Sequence, residues 1–446
     1  MCLTAHFIDQ DRKLRKKIIN FGELKGHKGV DIVDGIVACL DDWGIDKVFK
    51  ITVDNASSND TIVAKLKEVF NARGTSICDS PFLHMRCVAQ ILNLIVSDGL
   101  GDIYLSMKRI REAVRFIIKS PERLKFFNEF AKFQKVEGKC DFCLDVPTRW
   151  NSTFLMCGLL RGLIRCLRCL ACMTTIFKRI WKAERIVPEK NDLKILGSRY
   201  TTSNLFLQDM HSLYHLIHKL ETEVEKDYDL SVMASKMKLK YEKYWVDVDK
   251  MKKLLYISTI MDSRYKLGFV DYALKRVYPE DGKGGCMSED VKKATFALFA
   301  HYEQLWKSKK SENSSTSLAP IVEECDVDEI DVIVEYIKHR EKIVGAVNKS
   351  ELEKYLREKD EPMVLKFHVL GWWKVNNLRF PALSLMAKDV LAVHISVVTS
   401  EYAFSACGRI LDDFISSLTP KIVEALICRS DWIHGDSTPP SAEEDP

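Results

Sequence analysis

A chain of 446 residues, 46% hydrophobic and 29% charged, can bury a substantial core and is expected to hold two or three structural units. Lysine and arginine exceed aspartate and glutamate by only four, so any nucleic-acid-binding surface has to be local rather than a property of the whole chain. No apolar run reaches the roughly 20 residues that span a bilayer, and the opening MCLTAHFID lacks the basic and then apolar pattern of a secretory leader, which speaks against membrane insertion and export.

The fourteen cysteines are scattered through apolar stretches, as at Cys39, Cys157 and Cys428. That distribution suits buried thiols in a reducing compartment better than a disulfide framework, and a cytosolic or nuclear address is expected.

In chain order, Leu3 to Ile8 alternates apolar and polar residues, turns at Asp9-Gln10-Asp11 and resumes from Leu14 to Phe21, the pattern of a hairpin. Val30, Val33, Ile36, Val37 and Leu40 then follow helical spacing, closed by Gly44, and Val48 to Val53 reads as a third strand. Asp54 therefore falls at a strand end. A second amphipathic helix covers Ile62 to Phe70, a short strand Phe82 to Met85, and an apolar helix Val88 to Val96. The order ββαβαβα implies a mixed sheet flanked by helices.

From about Leu100 to His301 nearly every window has a helical period, with Leu213, Leu216, Ile217 and Leu220 as an example. The polar KSKKSENSSTSLAP from Lys307 and the acidic stretch after it read as a linker over 307–350. Residues 351–433 are again amphipathic and aromatic, and the tail 434–446 is expected to be disordered.

Three motifs carry chemistry. In Thr52-Val53-Asp54-Asn55-Ala56-Ser57 a carboxylate just past a buried strand can point into a cleft and hold a divalent cation, although the same residues also suit a turn and helix cap. In Leu144 to Thr153 a guanidinium and an indole, Arg149 and Trp150, stand side by side before a helix expected to begin near Ser152. Arg can neutralise phosphate while Trp stacks on an unpaired base, and a packed Trp beside an N-cap is the plainer alternative. In Thr399 to Ser405, Glu401 lies in an apolar, small-residue helix where a buried carboxylate needs a cation or a donor, unless it serves as a first-turn Glu behind a Ser or Thr cap.

Cysteine spacing adds less. Cys140 with Cys143, and Cys166, Cys169 and Cys172, approach zinc-ribbon spacing, but the latter three fall inside or directly after a helical pattern over Leu159 to Ala171 and read as buried thiols. His84 to Gln90 offers one ring and one thiol and no metal-binding pair.

Taken together, TVDNASSNDT, HMRCVAQILNLIV, LDVPTRWNST, the MDSRYKL run at Met261 to Leu267 and SEYAFSACGRILDDFISSLTPKIVEALICRSDWI resemble plant hAT-family transposases of the zinc finger BED domain-containing RICESLEEPER and DAYSLEEPER type, in order and spacing over nearly the whole chain. The resemblance implies an α/β plus all-α fold. An incomplete ribonuclease H-like core over 1–160 lacks its first strand, a large helical insertion covers 161–306, and a helical C-terminal dimerisation region covers 351–433. By the same resemblance Asp54 and Glu401 match the second and third of three metal-holding acids, with no residue at the first, and Arg149 and Trp150 match the motif whose Trp stacks near an extruded base. Gln90 stands where the family's Cys-x-x-His has a histidine, and Cys407 replaces a usual glycine. The N-terminal BED finger is not found, so the sequence reads as N-terminally truncated, whether in the protein or in its gene model.

The functional expectation is a nuclear, transposase-derived protein that binds DNA and forms a homodimer through Leu356, Trp372, Trp373, Phe380, Phe404 and Leu411, without transposition activity and with no cofactor. An active transposase using Mg²⁺ or Mn²⁺ is the alternative if the N-terminus is longer. In that case another acid such as Asp9 could stand in only with difficulty, from the far end of the hairpin. A pure protein-interaction scaffold is the third reading.

Overall fold

The computed structural model describes residues 1–24, 26, 28–75, 77, 82–101, 104–133, 200–222, 228–245, 252–279, 282–314, 349–364, 367–401, 403–404 and 419–434. The chain forms two compact units, one of Met1–Phe7, Leu14–Leu255 and Val393–Pro446, the other of Ile8–Lys13 and Tyr256–Ala392.

Strands β1 (Cys2–Ile8) and β2 (Leu14–Phe21) make the expected hairpin. The turn is closed by Asp9, whose N–H donates to the Lys13 carbonyl at 3.0 Å and whose Oδ1 accepts from the Lys13 N–H at 2.8 Å, with Arg12 in the left-handed region at φ 62°. The Asp9 carboxylate is thus spent on turn geometry, as short polar side chains commonly are.

Helix α1 (Gly29–Asp42) ends at Gly44, whose φ of 61° lets the chain reverse so that the Ile45 N–H reaches the Leu40 carbonyl at 2.8 Å. Strand β3 (Ile51–Val53) is shorter than the expected run from Val48. Helix α2 (Ser58–Ala72) crosses over to β4 (His84–Arg86), which pairs parallel with β3 in the register Ile51 to His84 and Val53 to Arg86. Val33 and Leu40 of α1 meet Ile62, Val63, Leu66 and Phe70 of α2 and Leu83, a core that follows the helical spacing of those residues.

The expected single mixed sheet is not found among the described residues; instead there are two separate two-stranded sheets, β1–β2 and β3–β4. The physical reason lies in residues 393–397, a segment outside any helix or strand that is buried over Val393 to Ser396. The His394 carbonyl accepts from Thr52 Oγ1 in β3 at 2.7 Å, while the His394 ring stacks on His6 of β1 with centroids 4.4 Å apart. A segment without ladder bonds of its own therefore touches both strand pairs.

Helix α3 (Val88–Leu100) is followed by α4 (Tyr104–Ile118) and α5 (Pro121–Phe133), then α6 (Phe206–Thr222) and α7 (Tyr228–Trp245). The close packing of α3 on α7 rests on Gly99, where an added Cβ would lie 2.5 Å from Met237 Cγ. In the expected stripe of α6, Leu213, Ile217 and Leu220 are buried.

Helix α8 (Lys253–Ile260) leads into the second unit, which contains α9 (Lys266–Val277), α10 (Lys283–Ser314), α11 (Glu351–Arg357), α12 (Val369–Val375) and α13 (Pro381–Leu391). Helix α10 continues through Ser314, so the first part of the segment expected as a linker is helical. The core is aromatic: Trp373, Tyr355 and Phe380 are buried, with the Trp373 Nε1–H donating to the Met261 carbonyl and the Tyr355 hydroxyl to the Ile260 carbonyl, both at 2.8 Å. These bonds let bulky amphipathic rings be buried without stranding a polar atom.

The MDSRYKL run builds the same core. Asp262, fully buried, takes Arg264 Nε at 3.0 Å and Nη2 at 2.7 Å, and the ammonium of buried Lys266 donates to the Glu358 and Lys359 carbonyls at 2.8 and 3.1 Å. The chain returns to the first unit at Val393 and ends its described part with α14 (Pro420–His434), whose Val423 and Ile427 pack on Ile18 and Phe21 of β2.

Candidate functional site

The two acids singled out in the sequence both belong to the first unit, and Gln90 links their neighbourhoods. Asp54 follows β3 directly and is exposed. Its Oδ1 accepts from the Ala56 N–H at 2.9 Å and from Asn59 Nδ2 at 2.5 Å, a local turn, while the N-cap position of α2 is Ser57, which makes no side-chain cap bond. Glu401 lies in a helix that starts at residue 398, half-buried, its N–H bonded to the Val397 carbonyl.

Gln90 stands in the first turn of α3. Its Oε1 accepts from the Asn55 N–H at 3.0 Å and its Nε2 donates to Glu401 Oε1 at 3.2 Å. One amide thus ties the residue after Asp54 to the Glu401 carboxylate and supplies the donor that a half-buried acid requires.

Backbone contacts fix this corner. The Cys87 N–H donates to the Val53 carbonyl at 2.8 Å, the Val88 N–H to the Ile395 carbonyl at 2.9 Å, and the Val397 N–H to Cys87 Sγ at 3.4 Å. Burial pushes the Cys87 thiol up, so this sulfur serves as a neutral acceptor rather than a thiolate ligand. Beside it, burial first and the charge of Lys16 second hold His394 down to about 4. His6 is held well below its ordinary value by burial, then by His394 and Lys16. Both rings are neutral near pH 7, with Ser396 Oγ 3.2 Å from His394 Nε2.

The donor set can be tested against a pair of divalent cations. Two-metal sites need several carboxylate oxygens shared between the ions. Here one oxygen of Asp54 is taken by two hydrogen bonds and one oxygen of Glu401 by Gln90, and among the described residues no three His, Cys, Asp or Glu side chains come together as a metal site. The described residues do not fit a two-cation centre, and no metal step is derived from them.

Arg149 and Trp150 lie outside the described residues, as do Leu411, the helix expected near Ser152, and Cys140, Cys143, Cys157, Cys166, Cys169 and Cys172. Of the other residues assigned to dimerisation, Trp373 and Phe380 are interior to the second unit and have no free surface. Leu356 and Trp372 are half-buried, Trp372 donating to Glu361 Oε1 at 2.9 Å, and Phe404 is 52% exposed beside Phe21. The residues that sequence reading passed over are Gln90, which was noted only as a departure, and the 393–397 segment. Burial of His394 between apolar Val393 and Ile395 was the available signal for the latter.

Comparison with known proteins places the chain. Residues 351–433 match the hAT family C-terminal dimerisation region, and residues 204–302 match the hAT-like transposase, RNase-H fold. Residues 1–82 match the ZBED1 RNase-like domain and 85–196 the ZBED1 RNase-like helical domain. Zinc finger BED domain-containing protein RICESLEEPER 2 of Oryza sativa subsp. japonica is 31% identical over 97% of this chain and 62% of its own length. RICESLEEPER 3 of the same species is 29% identical over 100% and 60%, and DAYSLEEPER of Arabidopsis thaliana is 27% identical over 97% and 61%. The chain spans about three fifths of the length of these relatives.

Proposed function

From the premise that the chain belongs to the hAT transposase-like family, we propose that it is a nuclear protein that binds DNA and pairs with a second copy of itself, without carrying out transposition. The observation that supports this reading is the Gln90 bridge: Asp54 Oδ1 accepts from Ala56 and Asn59 and Glu401 Oε1 accepts from Gln90, so an oxygen of each acid is already held by protein donors. Asp54 and Glu401 are remnant acids in this reading, and Arg149 with Trp150 is the DNA contact carried over from the family motif.

Self-association runs through residues 351–433, which the family model describes as a dimerisation region. Among its described residues, exposed apolar side chains include Val375, Leu378 and Phe404 and, on α14, Ile422 and Leu426, each at least 41% exposed, while Trp373 and Phe380 act through the fold that presents them. Exposed apolar side chains on one helix are the usual core of such a contact.

Two measurements test the reading. Light scattering at tens of micromolar is expected to give a dimer, and DNA retention is expected to weaken as salt rises and to weaken further in Arg149→Ala and Trp150→Ala. A monomer with no salt-sensitive DNA retention refutes it. A second reading, a working transposase within a longer protein, is favoured by the convergence of the Asp54 and Glu401 segments on Gln90. Cleavage dependent on Mg²⁺ or Mn²⁺ and abolished by Asp54→Ala decides for it.

A further inference from the structure

Whole-chain charge hides one strongly uneven segment. Over residues 104–133, which contain α4 and α5, eight lysines and arginines face three glutamates, a net excess of five where the entire protein has four. Lys108, Arg111, Arg115 and Lys119 recur every three or four residues, the spacing of one helix face. The turn persists to its end, since the Lys119 N–H still bonds the Arg115 carbonyl at 3.0 Å. Lys108, Arg115 and Lys119 are exposed and Arg111 half-buried, with Glu112 bordering the stripe.

Next to this stripe lie two exposed aromatic rings. Phe116 on α4 is 61% exposed and Phe126 on α5 is 73% exposed. They line an open groove between the two helices with Ile117, Glu122 and Arg123. Arg123 fixes the groove: its guanidinium sits 3.8 Å over the Phe116 ring and donates from Nη1 to the Phe116 carbonyl at 2.8 Å, so it caps α4 while holding α5 against it. The rings are therefore presented by a braced helical hairpin.

The geometry points to this hairpin as a surface for DNA with unpaired bases, the stripe taking the phosphates and Phe116 and Phe126 taking base faces. Cations alone would suit a duplex or any polyanion. Exposed aromatic rings beside a cationic track are what a single strand requires, because every base offers a face to stack. The inference rests on the DNA-binding reading above and adds to it a contact that the Arg149 and Trp150 motif does not provide.

The test uses the full chain in fluorescence anisotropy with a labelled thymidine oligomer of about 20 nucleotides and a duplex of equal length, at several salt concentrations. Phe126→Ala, at a position 73% exposed, is expected to weaken single-strand binding about 5- to 100-fold and leave the duplex within about twofold. Lys108→Glu with Arg115→Glu and Lys119→Glu is expected to weaken both and to lower the single-strand salt slope by about 2, the share of three phosphates. If the wild type binds DNA but neither variant changes single-strand affinity by more than about twofold, this surface is refuted and the DNA-binding reading stands. If the wild type binds neither oligomer, the reading itself fails and takes the inference with it. Binding to phosphatidylserine vesicles that the triple variant abolishes, with single-strand binding intact, overturns the proposal in favour of an anionic membrane.

Discussion

The indoles of Trp43 and Trp432 stack with centroids 5.4 Å apart and planes 10° from parallel, and each donates its Nε1–H to adjacent carbonyls of β2, Trp43 to Ile19 at 2.9 Å and Trp432 to Ile18 at 3.0 Å. Asp431 Oδ2 accepts the Ile18 N–H at 2.8 Å and Lys17 Nζ lies 5.2 Å from the Trp432 ring centre. An unpaired strand edge would otherwise offer these groups to other chains. Trp43→Ala and Trp432→Ala are expected to be coupled by about 0.5–1.5 kcal/mol in a double-mutant cycle read by chemical denaturation, the range for a stacked pair beyond its buried area. Additive losses would show that the stack contributes nothing of its own.

The stacked pair His6 and His394 sets a pH dependence for the first unit. Both rings titrate near 6.5 when unfolded and lower when folded, His394 at about 4, so across that window the unfolded chain binds more protons and stability falls as pH falls. The His394 displacement alone corresponds to on the order of 3 kcal/mol. Denaturation midpoints measured from neutral pH downward are expected to drop through this range in the wild type and to flatten in His394→Gln, which can keep a bond to Ser396. Equal slopes in the two proteins would exclude the imidazoles as the cause.

The hairpin, α1, α2 and α3 were legible because each rests on local signals: alternation, helical spacing, Asp9 at a turn and Gly44 at a stop. The sheet was not legible in the same way, because its division depends on residues 393–397 arriving from far along the chain to touch His6 and Thr52. For the site, motif order located Asp54 and Glu401, but the residue that connects them, Gln90, looked like a loss when compared with a histidine-bearing pattern. An amide has an acceptor and a donor on one side chain, and that chemistry becomes visible only when Asn55 and Glu401 are placed on either side of it. The aromatic bulk of residues 351–433 misdirected the choice of interface residues for a related reason. Composition counts apolar area without saying which of it is already covered, and Trp373 is covered by its own unit.

Changing Gln90 separates the loss of its two bonds from the effect of an added charge. Gln90→Ala is expected to cost about 1 kcal/mol at neutral pH, the net worth of the bonds it makes. Gln90→Glu sets a second carboxylate against Glu401 Oε1, and like charges raise the folded pKa values of such a pair. Raised carboxylate pKa values mean that the folded state binds more protons, so the deficit of Gln90→Glu should be largest at neutral pH and shrink as the pH falls toward 4. A pH-independent deficit in Gln90→Glu would mean that the glutamate has swung away from Glu401.

In the second unit, Asp262 and Arg264 offer the strictest test of how a family motif contributes to the fold. Asp262 is fully buried and spends Oδ1 on the Arg264 N–H at 3.1 Å and on Nε at 3.0 Å, and Oδ2 on Nη2 at 2.7 Å. The guanidinium lies 5.1 Å from the Tyr265 ring centre and 4.8 Å from that of Phe367. Either partner alone is a desolvated charge, so Asp262→Ala and Arg264→Met are each expected to cost about 3–5 kcal/mol. The double variant strands neither charge and leaves a methionine to fill the space between the rings, so it should be markedly more stable than the sum of the two losses predicts. Denaturation followed by tryptophan fluorescence, with Trp373 held against the neighbouring Met261 carbonyl as the reporter, measures all three. Strict additivity would mean that MDSRYKL holds the unit through packing rather than through its ion pair.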